Sequence, residues 1–206
     1  MGLFAGMMQA GKLAVALMAG GKSTRMGRDK CGISDRDGRE LWRGRLELLR
    51  ELKTSEVLIS CRADQTDFDG SGARLVFDQW ENAGPLGGIV SCLEAMEADR
   101  LLVLGVDLPA MTRVGLDALV DVAETGGSVF RCGGMLEPLV AVYPKSMASA
   151  GRRRLQAGDF AMRGWIAEAG NAMRELVAPV EWCGLFLNLN DPASWARWLD
   201  EAQNRA

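Results

Sequence analysis

Residues 13–30 read LAVALMAGGKSTRMGRDK, and the meaning of the whole chain turns on them. The first seven, Leu13 to Ala19, form a short uncharged apolar run that ends at glycine, which is the pattern of a buried strand. The strand breaks at Gly20-Gly21. Two adjacent glycines let the backbone turn sharply and approach a ligand with no side chain in the way. Backbone N–H groups in such a turn can gather round an anion. Lys22, Arg25 and Lys30 follow closely. A strand, a glycine turn and a set of cations, in that order, suit a triphosphate.

Two familiar phosphate-binding patterns do not fit. In G-x-x-x-x-G-K-[ST], Gly21-Lys22-Ser23 would match the end, but Ala16 stands at the first glycine. Gly6 to Lys12 would match the front, but Leu13 replaces the hydroxyl residue. The dinucleotide pattern G-x-G-x-x-G is also absent from this turn.

Outside the turn, the bulk properties bound the answer. A chain of 206 residues suffices for one well-buried domain and is short for two. With 48% apolar and 25% charged residues it reads as globular. A net charge of −3 argues against general nucleic-acid binding, and no apolar run reaches the length of a membrane span. Residues 1–12 read as an extension and 13–206 as the domain. The five cysteines, Cys31, Cys61, Cys92, Cys132 and Cys183, are scattered without a C-x-x-C pair. That spacing offers no zinc site and suits a reducing cytoplasm. Cys31, beside Lys30, is either a reactive thiol or a small buried residue.

The chain contains no histidine. Nucleophile pairs that depend on imidazole are therefore excluded, and any chemistry must use cations, carboxylates and an oxygen-liganded metal. A phosphate nucleophile meets that restriction. A monoester phosphate, with a second pKa of about 6, is mostly dianionic near neutral pH and can attack without a general base.

Strands are expected at 13–19, 57–61, 75–77, 101–106, 128–131, 139–143 and 176–180. Helices are expected at 41–52, from Gly84 to about Ala98, and at 114–124, 145–155 and 160–169. A last helix follows Asn190, with Asp191 as its cap and Pro192 in its first turn. Alternation of strands and helices implies a single α/β domain built on a mostly parallel sheet. Ligands bind such sheets beyond the carboxyl ends of the strands. Gly20, Asp78 and Asp107 each stand just past a strand. Asp107 ends the most apolar strand, where a carboxylate must be solvated, paired or metal-bound. It is either a Mg2+ ligand or a turn aspartate before Pro109. Arg152-Arg153-Arg154 is either a phosphate patch or a solvated helix face.

Ala19, Gly20, Gly21, Ser23, Arg25, Met26, Gly27, Asp29 and Lys30 resemble the A-G-G-x-S-x-R-M-G-x-D-K motif of the molybdenum cofactor guanylyltransferases. Gly84 to Ile89, Asp107-x-Pro109, Glu137-Pro138-Leu139 and Asn188-Leu189-Asn190 extend the likeness over roughly 13–199. The resemblance implies a Rossmann-like nucleotidyltransferase fold with helices on both faces of the sheet. It implies a cytoplasmic enzyme that moves GMP from GTP to molybdenum-molybdopterin, with Mg2+ as cofactor and pyrophosphate as the other product. Arg25, Lys30 and Asp107 are the implied catalytic residues, and Asp107 the metal ligand. Met18, Ala19, Gly20, Gly21, Lys30, Asp78, Pro85, Leu86, Gly87 and Asp107 are the implied nucleotide contacts. Asn188 and Asn190 are implied on the acceptor side, Asn190 at the phosphate or metal and Asn188 at the loop or pterin. Further implied partners are the proteins of molybdenum insertion and molybdoenzyme maturation, with neither nucleic acid nor membrane.

The glycine pair and Pro85 to Gly88 are similar to the guanine-selective branch. Near Ser60-Cys61, where that branch places a guanine-contacting asparagine, this chain has none. Met18 replaces a usual leucine, and Asp191 a usual threonine. Two other readings stand beside this one: transfer to a different phosphorylated acceptor, and a non-catalytic nucleotide-binding module.

Overall fold

The computed structural model describes residues 11–21, 34, 38–189, 194–196 and 198. Seven strands form one sheet in the order β3-β2-β1-β4-β6-β5-β7. They are β1 (Leu13–Met18), β2 (Glu56–Cys61), β3 (Arg74–Phe77), β4 (Arg100–Gly105), β5 (Gly127–Cys132), β6 (Met135–Pro144) and β7 (Met173–Val177). β1 lies parallel between β2 and β4, and β3 lies parallel to β2. β6 runs antiparallel to both β4 and β5, while β7 is parallel to β5. The sheet is therefore mostly parallel, as the alternation of elements implies.

The central strands β1 and β4 are apolar on both sides because both faces are covered there. Alternate β1 residues point to opposite faces. Leu13, Val15 and Leu17 join one core, together with Trp42, Leu46 and Leu49 of α1 (Leu41–Arg50) and Leu116 and Leu119 of α3 (Arg113–Ala123). Ala14 and Ala16 join the other, under Leu86, Ile89 and Leu93 of α2 (Pro85–Ala95), Leu155 of α4 (Ala148–Gln156) and Trp165 of α5 (Met162–Glu168). Small alanines on that side let α2 sit close to the strand. Among the described residues, no helix is long and apolar enough to cross a membrane.

Three elements differ from expectation. β6 starts four residues earlier than 139, straight out of the Gly133-Gly134 turn. Pro138 lacks an N–H for the ladder, and the β5–β6 register shifts opposite it, between Val129 and Arg131. The segment expected as a strand at 176–180 is instead β7 at Met173–Val177. Ala178 N–H still donates to Arg131 C=O at 2.9 Å, and Pro179 then has no donor to continue. Lys145–Met147 is a 3-10 turn that precedes α4.

Candidate functional site

The chain leaves β1 in one direction, toward β2 and β3, and returns through α2 to β4 on the other side of β1. The carboxyl ends of β1 and β4 thus bound the crevice where open α/β sheets hold ligands. The two ends are level: Met18 pairs with Gly105, and Val106 N–H donates to Met18 C=O at 3.1 Å. Gly20 follows one strand end by two residues, and Asp107 follows the other by two. Met18 is half-buried, Ala19 buried and Gly21 exposed. A Cβ on Gly21 would meet nothing within 4 Å, so the turn is open on that side.

The start of α2 crosses the ends of β3, β2 and β1. Gly84 adopts φ 62° and ψ −153°, a conformation open essentially to glycine. Pro85, in the first turn, has no N–H to lose there. Leu86 is wholly buried, so only its main chain can serve a ligand. A Cβ at Gly87 would lie 2.8 Å from Asp78 Oδ1, and one at Gly88 would lie 2.4 Å from Ser60 Oγ and 2.8 Å from Met18 Cε. These glycines let the helix amino terminus lie directly on the strand ends. Asp78 Oδ1 also accepts from Trp80 N–H at 2.9 Å. Burial raises the Asp78 carboxyl above its ordinary value, and the Trp80 N–H partly opposes that.

That shift carries a stability sign. A carboxyl whose pKa is higher in the folded state favours folding when protonated, so its stabilising share is complete at low pH and is lost as pH rises through the folded value. At neutral pH the half-buried charge opposes folding. Asp78→Asn is expected to raise the melting temperature at pH 7, with the gap closing on acidification. Thermal melts at two pH values check this. A lower melting temperature at pH 7 would contradict it.

Asp107 is 9% exposed, with its Oδ1 folded back against Gly105, where a Cβ would lie 2.8 Å away. Arg45 of α1 braces the loop after it, donating from Nη1 to Met111 C=O at 3.0 Å and Leu108 C=O at 3.3 Å. The carboxy-terminal segment returns to the same place. Leu189 is 1% exposed, and its N–H donates to Asp107 C=O at 3.1 Å. Asn188 beside it is exposed. Glu137 belongs to the end of β6 that adjoins the carboxyl end of β4, and burial raises its carboxyl.

The structure thus brings Met18, Ala19, Gly20, Gly21, Asp78, Pro85, Leu86, Gly87, Asp107 and Asn188 to one edge of the sheet. Arg25, Lys30 and Asn190 lie outside the described residues, as do Cys31, Asp191 and Pro192. Cys61 cannot read a base through its side chain. It is fully buried, and burial pushes its thiol up to about 11 despite the neighbouring Arg62. The Arg152–Arg154 run is a helix face of ion pairs rather than a phosphate patch. Arg152 binds Glu94 through two bonds of 2.6 and 2.8 Å, Arg153 reaches Glu168, and Arg154 reaches Asp159 and Glu168. A cavity of about 440 Å³ lies away from the crevice, beside α5, where Arg131 is already bound by Glu175 at 2.6 and 2.7 Å.

Sequence reading missed Arg45, Arg62 and Gln65, whose side chains reach the site only through the fold. It also missed the Cys132 and Cys183 thiols, 51 positions apart in sequence and 3.1 Å apart in space.

The family model described as MobA-like NTP transferase domain matches residues 15–173. The chain is 34% identical over 189 residues to a probable molybdenum cofactor guanylyltransferase of Opitutus terrae, across 89% of this chain and 93% of that one. It is 33% identical over 170 residues to a molybdenum cofactor guanylyltransferase of Pseudomonas aeruginosa, across 80% and 85%. Among solved structures it is similar to molybdopterin-guanine dinucleotide biosynthesis protein A from Archaeoglobus fulgidus, with a TM-score of 0.75 at 21% identity over 94% and 100% of the two chains. At that identity the likeness is one of fold.

Proposed function

The chain belongs to the family of MobA-like NTP transferase domains, and from there we propose that it transfers GMP from GTP to molybdenum-molybdopterin, giving the guanine dinucleotide form of the cofactor and pyrophosphate. One observation carries the reading: in a chain similar over most of its length to a molybdenum cofactor guanylyltransferase and a probable one, the Ala19–Gly21 turn, Asp107 and the Leu189 segment meet at a single crevice.

In the proposed reaction an acceptor phosphate oxygen attacks the α-phosphorus of GTP. The bond from that phosphorus to the bridging oxygen of the β-phosphate breaks, and pyrophosphate leaves with the electron pair. No proton has to be removed from the nucleophile, which suits a chain without histidine. The protein's contribution is alignment and charge neutralisation. Gly20 and Gly21 let the phosphate chain approach the backbone. Lys30 and Arg25 are read as its cations, a point charge and a planar fork. The Asp78 carboxylate is an acceptor suited to the donors of guanine or ribose. Asn188 and Asn190 are read as facing the acceptor.

The donor set fits Mg2+. Asp107 offers hard oxygen at the crevice, and among the described residues no group of three or more ligating side chains forms an all-protein cage. That suits an ion held through one or two carboxylates and substrate phosphates. When bound, it would add positive charge against the phosphate oxygens.

The test is pyrophosphate release on mixing the protein with Mg2+, molybdenum-molybdopterin and each nucleoside triphosphate in turn. Release is expected with GTP and well below it with CTP. Release with another phosphorylated acceptor but not with the pterin would replace the acceptor in this reading. No release with any acceptor, despite GTP binding, would leave a nucleotide-binding module.

A further inference from the structure

The glycine turn after β1 is held from outside by two side chains of the loop after β2. Arg62 Nη1 lies 3.3 Å from the carbonyl oxygens of both Gly20 and Gly21. Gln65 Nε2 donates to Ala19 C=O at 3.2 Å, and Gln65 Oε1 accepts from Arg62 N–H at 2.8 Å. Gln65 is 5% exposed, and Asp64 Oδ1 accepts from Arg62 Nε at 2.9 Å. Three successive carbonyls are therefore gripped on one side by a pair of side chains that are themselves fixed.

Peptide geometry gives this grip a consequence. In a planar trans peptide, the C=O of one residue and the N–H of the next point in opposite directions. Carbonyls of Ala19 and Gly20 drawn toward the β2 loop turn the N–H groups of Gly20 and Gly21 the other way. In the sheet, β2 flanks β1 on one side and β4 flanks it on the other. The donors thus face the side of Asp107. Glycine peptides flip at little steric expense, and a flipped peptide would show the phosphate chain a carbonyl oxygen instead of a donor. A turn made of glycine for close approach needs its orientation set by something else.

We propose that Arg62 and Gln65 are positioning residues that lock the peptide orientation of the Ala19–Gly21 turn for the polyphosphate of a nucleoside triphosphate. This deepens the guanylyltransferase reading and rests on it. The grip acts before the ligand arrives, so its loss falls on the phosphates and spares the base. It is a form of preorganisation, felt as affinity.

The experiment compares wild type, Arg62→Gln, Arg62→Lys and Gln65→Glu, each checked for an unchanged melting profile. Titration with GTP, pyrophosphate and guanosine, all with Mg2+, reads where the loss falls. Arg62→Gln is expected to weaken GTP and pyrophosphate about tenfold each and to leave guanosine unchanged. Arg62→Lys is expected to recover part of the loss, because an ammonium donates but cannot span two carbonyls while holding Asp64. In turnover, the KM for GTP rises with little change in kcat. An equal loss on guanosine would overturn the proposal, since Arg62 would then be touching the base. Unchanged GTP affinity in both Arg62→Gln and Gln65→Glu would overturn it too. Wild-type protein that binds no GTP would overturn the guanylyltransferase reading, and this inference with it.

Discussion

Asp107→Asn is expected to lower kcat for pyrophosphate release by about 10³-fold, roughly 4 kcal/mol of transition-state stabilisation. The substitution keeps the shape and removes the charge. The loop around it keeps bonds that end on main-chain carbonyls: Leu189 N–H on that of Asp107, and the Arg45 guanidinium on those of Leu108 and Met111. What disappears is a hard anionic oxygen beside the end of β4. A neutral amide is a poor ligand for Mg2+ by comparison. Rates measured across a Mg2+ titration decide the matter. A variant with the wild-type rate and the wild-type Mg2+ dependence would remove Asp107 from the catalytic set and leave it as a turn aspartate.

Leu189→Ala is expected to lower the melting temperature by about 10 °C. Truncating a buried leucine typically costs about 3–5 kcal/mol, and in a protein of this size each kcal/mol moves the midpoint by about 2–4 °C. The functional effect should be lopsided. Leu189 is wedged at the carboxyl end of β4 by its buried side chain and by its N–H on Asp107. Gly20, Asp78 and Gly87, the residues proposed for the nucleotide, belong to other elements. Transfer to the acceptor should therefore fall about tenfold or more, while GTP affinity measured below the midpoint stays near wild type. Parallel losses in binding and transfer would show that the segment serves the nucleotide, and the acceptor-side reading of Asn188 would fall.

The strands that hold the site were legible because their residues carry the signal locally. Leu13 to Met18 and Arg100 to Gly105 are buried on both faces, so nearly continuous apolar runs mark them. β6 was read short because Pro138 interrupts the pattern, although the strand absorbs it through a register shift. β7 was misplaced because its side chains alternate weakly, and its true limits are set by its partner β5 and by Pro179. The site divides in the same way. Gly20, Gly21 and Asp107 announce themselves by following apolar strands. Arg62, Gln65 and Arg45 do not, since a surface-like arginine or glutamine in a polar loop looks the same whether it meets solvent or a carbonyl more than 40 positions away. The Arg152–Arg154 run misled in the opposite sense. Its charges are clustered in sequence, yet Glu94, Asp159 and Glu168 answer each of them in space.

The placement of β1 between β2 and β4 also governs when the crevice can exist during synthesis. The β2 side is reached early: Ser55 Oγ–H donates to Leu13 C=O across 42 positions. The β4 side comes late, as the bond from Lys12 N–H to Asp99 Oδ2 spans 87. At translation speeds of about 5–20 residues per second, β4 emerges roughly 4–17 s after β1. From the pairing of β2 until β4 arrives, LAVALM has one bare edge, uncharged and rich in apolar side chains, of the kind that pairs with other chains. The Gly20-Gly21 turn is thus translated near the start, and its side of the crevice is completed only once Gly105 lies beside Met18. A chain stopped before β4 would keep that edge bare and would lack Asp107, leaving half of the candidate crevice unbuilt.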